Sequence, residues 1–425
     1  MNQKEALVIL KKGHNVFLTG SAGTGKTFLL NQFISYLKKK NIRVGITAST
    51  GIAATHIGGR TIHSWSGLRI RQEIDDKAIK KLIKNQELSG RIKESRVLII
   101  DEISMLDANR LDLIDEICKK IRENSLPFGG LQTILCGDFL QLPPVDREKK
   151  SRFAYESLAW KSSDIKVCYL KKQYRQDDLK FIEILNKIRN NEAGKEELDY
   201  LKKRLYKPIN YSIKPTKLYT HNADVDAINN YELSRISGEE KSYHMTSHGP
   251  KELVAILKKG CMAPEELKLK MGAIVMFVKN NFDAGYVNGT IGRVIDFEDN
   301  NPVVETKSGS RILVSPTTWN IEEDEEKILA TIEQFPLRLA WAITVHKSQG
   351  MSLDVAEIDL SKAFELGMGY VALSRVRTLD GIRLMGINEF SLKVNQIIVE
   401  KDCEFRALSD KEFKKLKINP IYLNL

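Results

Sequence analysis

The sequence predicts an α/β protein with two parallel-sheet domains, a small charged insertion in the first and a small β-barrel inserted in the second. Three observations carry this. GSAGTGKT, Gly20 to Thr27, lies between an apolar run (Val16, Phe17, Leu18) and a helically spaced one (Phe28, Leu29, Leu30, Phe33, Ile34, Leu37), so it reads as strand, glycine-rich loop, helix. Val44 to Thr47 then supplies a second strand, and a βαβ unit implies a parallel sheet. From Met271 the pattern shifts to short β segments with Asn-, Gly- and Asp-rich turns, before α/β character returns at Leu337.

The chain has 425 residues, too many for one compact core, with 42% hydrophobic and 28% charged residues, as in a soluble globular protein. No apolar run approaches a membrane span, and the N-terminus lacks a signal-peptide core. Five cysteines (Cys118, Cys136, Cys168, Cys261, Cys403) are scattered without C-x-x-C pairing. That predicts a reduced, cytosolic or nuclear setting with neither disulfide framework nor zinc site. His244 and His248 lack a third ligand. The net charge of +11 permits a polyanionic partner without requiring one.

Residues 4 to 12 read as a short helix leading into the first strand. In the loop that follows, Gly20, Gly23 and Gly25 let the backbone turn so that its N–H groups, with those of Ser21, Ala22 and Thr24, converge on phosphate oxygens. Lys26 would reach the outer phosphates and the Thr27 hydroxyl would hold Mg²⁺. Lys38, Lys39 and Lys40 suit the negative end of the next helix. The segment 48–68, ASTGIAATHIGGRTIHSWSGL, is rich in hydroxyls and glycine. It fits equally a phosphate-contacting loop or a structural crossover with a satisfied histidine. Residues 69–95 turn charged and helical, as in a surface insertion. RVLIIDEISML is a buried strand ending in Asp101 and Glu102, costly to bury without a cation. Asp101 belongs on the Mg²⁺ shell and Glu102 beside the attacking water. Helix 108–123 follows, and then LQTILCGDFLQLPPV, where Gln141 can sense a γ-phosphate.

A second unit is expected after Trp160, with a strand at 167–170 and Arg175 beyond it. Strand, loop and helix are expected over 218–230, an irregular stretch over 231–270, and short strands over 271–335. Arg375 falls on a helix before a final strand, and the lysine-rich tail reads as a docked amphipathic helix.

GSAGTGKT, ASTGIAA, TIHSWSG, IIDEISML, PFGG with GDFLQLPPV, QYRQ, VNGTIG, AITVHKSQG and YVALSRVR stand in one order. In these the chain resembles the PIF-one (petite integration frequency) DNA helicases, the 5′-to-3′ branch of helicase superfamily 1, related to RecD-like helicases. The resemblance runs from Gln3 to Gly386. It implies two RecA-like domains, 1–160 and 161–425, with a wedge-type subdomain at 69–95. Within the second, an inserted region at 231–335 would contain an SH3-like barrel at 271–335. It also implies ATP and Mg²⁺ as ligands, and single-stranded, forked or structured DNA as partner. By this resemblance Gln3 reads adenine, Gln141 couples γ-phosphate to DNA, Arg175 and Arg375 reach across from the second domain, and Tyr174 lines the nucleotide pocket. Thr50, Gly51, His63 and Ser64 become DNA contacts, with Thr344, His346 and Lys347 as counterparts; Trp65 is either a stacking platform or core. G-quadruplexes and RNA–DNA hybrids join the implied substrates. The short stretch before Gln3 suggests a monomeric bare motor of bacterial or phage type. A binding module with a vestigial ATP site, or a phosphate-loop ATPase acting on protein, are the rival readings; intact candidate residues oppose the first, and stimulation by DNA would exclude the second.

Overall fold

The computed structural model describes residues 1–418 apart from 69–72, 74, 145–151, 177, 210–215, 280, 282, 287–288, 307–308, 325–326, 352 and 354. Val145 of GDFLQLPPV, Val287 and Asn288 of VNGTIG, the first residues of the expected insertion and the end of the tail thus lie outside the described residues. The chain divides into two units, Met1–Thr220 with Val345–Leu425, and His221–Thr344.

The first unit opens with α1 (Gln3–Lys11), β1 (Val16–Gly20), α2 (Lys26–Lys39), β2 (Val44–Ala48), α3 (Gly51–His56), β3 (Arg60–Thr61) and α4 (Ile62–Ser66). There follow α5 (Asp76–Lys84), α6 (Gln86–Glu94), β4 (Val97–Asp101), α7 (Ala108–Arg122), β5 (Gln132–Cys136), α8 (Leu158–Ser162) and β6 (Lys166–Leu170). The strands form one sheet in the order β3-β2-β4-β5-β1-β6, every pairing parallel. β1 and β4 are buried along their whole length, as near-continuous apolar runs require in a sheet covered on both faces. Leu29, Leu30, Phe33 and Ile34 of α2 and Ile9 and Leu10 of α1 pack into the core with Val16 and Leu18.

The domain boundary expected at 160–161 falls inside this sheet. β6 pairs with β1 from Val16↔Lys166 to Gly20↔Leu170, so the first sheet extends to Leu170. An apolar run such as Val167–Leu170 fits any buried strand, and nothing in its pattern names the partner. The charged stretch expected as an insertion forms α5 and α6, which pack on each other and on α7.

The chain continues with α9 (Leu179–Arg189), α10 (Lys195–Lys202) and β7 (Thr216–Tyr219). The second unit holds α11 (Asn222–Ser234), β8 (Lys241–His244), β9 (Thr246–His248), α12 (Lys251–Gly260), β10 (Glu266–Leu269), β11 (Ile274–Phe277) and β12 (Ile291–Glu298). It is completed by β13 (Asn301–Thr306), β14 (Arg311–Leu313), β15 (Thr317–Asp324), β16 (Lys327–Gln334), β17 (Leu337–Leu339) and β18 (Ala342–Thr344). The stretch 231–270 is therefore not irregular: it carries three strands and a helix. Their shortness and lysine-rich ends mask any period in the sequence. Short strands do occupy 271–335, arranged as an antiparallel sheet β14-β13-β12-β11-β17 and a second sheet β15-β16-β9. Val275, Phe277, Val294, Val304 and Leu337 form the core of this unit.

The first unit resumes with β19 (Ala356–Leu360), α13 (Met368–Ser374), β20 (Ile382–Ile387) and α14 (Gln396–Ile418). β7, β19 and β20 pair in parallel, a second sheet of the expected kind. The tail docks as expected: α14 lies on β6, and Phe405 sets its ring 4.9 Å from that of Phe17, beside Trp160 and Phe139. Offset and edge-on rings add to the area buried. Because Phe17 is wholly buried and its ring meets those of Phe139, Trp160 and Phe405, Phe17→Ala should destabilise the first unit by about 3–5 kcal/mol, read as a lowered denaturant midpoint.

Candidate active site

The cleft begins at the end of β1. Gly23 holds φ +87°, and a Cβ there would fall 2.7 Å from that of Arg175, so only glycine lets the following segment close on the loop. The Gly23 carbonyl accepts from the Tyr174 N–H at 2.9 Å, which fixes Arg175 at the loop's edge. The Gln3 side-chain amide donates to Thr24 O at 3.1 Å, tying α1 to the loop. Thr24 is fully buried with its hydroxyl on Ser21 O, and Lys26 Nζ donates to Gly20 O (2.8 Å) and Ser21 O (3.1 Å).

A cavity of about 470 Å³ opens against this loop, within the size range of small-molecule sites. Ala22, Gly23, Gly25, Lys26, Thr27, Glu102, Gln141, Tyr174, Arg175 and Arg375 all border it, so the sequence-predicted residues converge. Asp101 lies behind them, 5% exposed, its carboxylate accepting from the Glu102 N–H at 2.8 Å. Burial, followed by the Glu102 charge, pushes Asp101 up to about 7. A buried carboxylate so raised suits a divalent cation, which would relieve both effects. Glu102 itself stands in left-handed backbone (φ 52°, ψ 46°), uncommon for a residue with a side chain, and its Oε2 accepts from Gln349 Nε2 at 2.9 Å. Gln141 is buried; its Nε2 donates to Asp138 at 3.4 Å while Oε1 has no partner.

The two arginines differ in origin. Arg375 ends α13, in the second-sheet half, as expected. Arg175 does not come from that half: it follows β6, the edge strand of the first sheet. Arg175 Nη1 donates to Ser374 O at 3.0 Å, and Arg375 donates to Val371 O, Ser374 Oγ and Met351 O. All of these acceptors are neutral. Burial and the neighbouring Arg375 push Arg175 down to about 9, and burial lowers Arg375 too. Two desolvated guanidiniums facing one cavity, with no carboxylate hydrogen-bonded to either among the described residues, suit an anion. His56, Gly350, Met351 and Arg377 also line the cavity, and Gln349 reaches Glu102. Sequence reasoning missed these. Gln349 and Gly350 stood within AITVHKSQG, but nothing in their type marks them out.

A protein-family model for the PIF1-like helicases matches residues 2–198, and one for the 2B domain of DNA helicase Pif1 matches 252–297. The ATP-dependent DNA helicase Pif1 of Psychrobacter sp. is 42% identical, over 96% of this chain and 71% of the relative. The chain belongs to the PIF1-like helicases. A crystal structure of Pif1 helicase from Candida albicans superposes with a TM-score of 0.88 at 36% identity, covering 96% of this chain and 99% of that one. Bacteroides Pif1 bound to single-stranded DNA gives 0.79 at 32% identity, covering 95% and 96%. The chain spans 62 to 64% of the length of several eukaryotic Pif1 relatives.

The positions that resemble the Pif1 DNA contacts are spread more widely. Thr50 caps α3, its Oγ1 accepting from the Ala53 N–H, and Gly51 opens that helix. Ser64 is exposed, and its carbonyl accepts from Arg91 at 2.7 Å. Trp65 is corrected: it is 4% exposed, and its ring lies where a Cβ on Gly45 of β2 would be. It is core, and no base can stack on it. His346 Nε2 lies 2.9 Å from Glu365, Lys347 is partly exposed, and Thr344 is buried at the end of β18 in the second unit.

His63 is mostly buried with Nδ1 unpartnered; burial, followed by Arg110, lowers it from 6.5 to about 4. Any contact it makes at neutral pH is that of an uncharged imidazole. Because the unfolded chain takes up this proton first, His63 withdraws stability as pH falls from about 6.5 through about 4. His63→Gln should therefore flatten the acid limb of the stability profile, measured as urea midpoints between pH 7.5 and pH 4.5. Separately, Lys26→Ala should lower ATP turnover at least about 100-fold with single-stranded DNA affinity retained, checked by phosphate release and fluorescence anisotropy.

Proposed function

We propose that this chain is an ATP-dependent DNA helicase that translocates 5′-to-3′ on single-stranded DNA and unwinds duplex, forked, G-quadruplex or RNA–DNA hybrid substrates. The observation that carries the reading is the cavity in which the phosphate loop, Glu102, Gln141 and the Arg175–Arg375 pair face one another. Named relatives that are ATP-dependent DNA helicases, and the Bacteroides Pif1 structure with single-stranded DNA, support it.

In this reading ATP is the substrate and its phosphates lie along residues 20–27. Thr27 and Asp101 would hold Mg²⁺, which neutralises charge on the outer phosphate oxygens. Glu102 orients and deprotonates the attacking water. Arg175 and Arg375 meet the charge that spreads over the γ-phosphoryl oxygens in a loose transition state, where an added guanidinium is worth roughly 10³–10⁵ in rate. Gln3 reads the adenine, Tyr174 flanks it, and Gln141 senses the γ-phosphate. Thr50, Gly51, His63, Ser64, Thr344, His346 and Lys347 grip the DNA backbone without reading bases, as a translocating motor requires. The Glu102–Gln349 hydrogen bond supports coupling between the two sites, because Gln349 stands two residues from Lys347. The second unit contains an SH3-like barrel, α5 and α6 form the wedge, and the free protein is a monomer.

Matched forks carrying one single-stranded tail test this. Unwinding should require ATP and a 5′ tail; equal unwinding of the 3′-tailed fork would refute the direction, and no unwinding of either would refute the function.

A further inference from the structure

Between the phosphate loop and α14 lies a buried charge cluster for which the proposed reaction has no use. At its centre is Arg189, the last residue of α9, 1% exposed. Its Nη1 donates to Asp138 Oδ2 (2.6 Å) and the Tyr370 hydroxyl (3.3 Å). Its Nη2 donates to Asp402 Oδ1 (2.8 Å) and the Tyr169 hydroxyl (3.0 Å). One guanidinium thus joins the turn after β5, β6, α13 and α14, with each Nη shared between a carboxylate and a phenol.

The Asp138 side leads to the active site. Asp138 opens the turn that carries Gln141: its carbonyl accepts from the Gln141 N–H at 3.0 Å, and its carboxylate from the Leu140 N–H and the Gln141 amide. The Tyr370 hydroxyl, bonded to the same Nη1, accepts from the Ala22 N–H of the phosphate loop at 2.9 Å. The Asp402 side leads away from it. Asp402 Oδ2 accepts from the Tyr169 hydroxyl and from Arg406 Nε, and among the described residues the hydrogen bonds of Arg406 go to Asp402 and Tyr169, away from Gln141. Burial opposes the charge on Asp138, yet Arg189 and Lys26 hold its carboxyl below the usual range, so the pair stays ionised. A planar fork can serve two carboxylates at once; an ammonium can serve one well.

We propose that Arg189 is a positioning residue for ATP turnover, holding Gln141 through Asp138 and the Ala22 amide through Tyr370, and anchoring both to α14 through Asp402. This rests on the helicase reading above, in which Gln141 senses the γ-phosphate. Arg406 is the built-in control, because it shares Asp402 and Tyr169 but not the Gln141 turn.

The test compares Arg189→Lys, Arg189→Met and Arg406→Met with the parent protein. ATP turnover is measured with and without single-stranded DNA, beside thermal melting. Arg189→Lys should lower DNA-stimulated kcat about tenfold or more, since an ångström of misplacement can cost up to 10², with KM for ATP within threefold. Arg406→Met should melt at a temperature similar to Arg189→Lys yet keep kcat within twofold of the parent. Arg189→Met should fall below Arg189→Lys; if it does not fold, the lysine variant against Arg406→Met decides alone. Equal kcat in Arg189→Lys and Arg406→Met, or parent-like kcat in Arg189→Lys, overturns the proposal. With Lys26→Ala inactive and the parent stimulated by DNA, that result leaves the helicase reading standing. A parent protein that DNA does not stimulate overturns both.

Discussion

Arg175 and Arg375 stand side by side at the cleft, and among the described residues their N–H groups donate to carbonyls and a serine hydroxyl. Guanidiniums taken out of water repel each other, and neutral oxygens do not cancel that repulsion. Burial lowers both groups, and for Arg175 the Arg375 charge adds to it. Much of the surrounding architecture serves to keep the pair in place. The Gly23 carbonyl pins Tyr174, and Gln176 Nε2 holds Ser374 O and Val376 O from the other side. A polyanion in the cavity would favour the charged form of both groups.

The carboxylates opposite follow the same logic with the sign reversed. Asp101 is buried at the end of a wholly apolar strand, with Cys136 and a single backbone N–H as its hydrogen-bond donors. Glu102 is turned out of the strand by left-handed backbone and meets Gln349. Arg175, Arg375 and Glu102 border one cavity, where the Glu102 charge favours that of both arginines, while Lys26 favours the charge on Asp101.

The phosphate loop and the paired carboxylates were legible because their chemistry forces residue types at fixed spacing. Gly23 must be glycine, and Asp101 must end an apolar strand. β6 was legible as a strand but not as part of the first sheet, since burial fixes the pattern of a parallel strand and topology fixes its neighbour. Trp65 could be read two ways in the sequence, because an indole serves a core and a base platform alike; the close approach of β2 at Gly45 settles it as core. The strands of 231–270 were hidden by length, with three or four residues giving period 2 no room to show.

Arg189 shows where sequence reasoning ends. An arginine in the last turn of an amphipathic helix reads as a dipole partner facing water, and its neighbours Lys187 and Asn190 strengthen that reading. Yet Arg189 is as buried as Arg375, and the two sit in opposite electrostatic circumstances. Burial opposes the charge on Arg189 but is outweighed by Asp138, with Tyr169, Tyr370 and Asp402, so it is raised well above its ordinary value, whereas burial lowers Arg375 and outweighs the pull of Glu102, Tyr370 and Asp138. The difference rests on Asp138 and Asp402, which lie 51 and 213 residues away in sequence. One arginine is compensated permanently and stiffens the site. Among the described residues the other donates its hydrogen bonds to neutral oxygens, so an anion entering the cleft would favour its charged form.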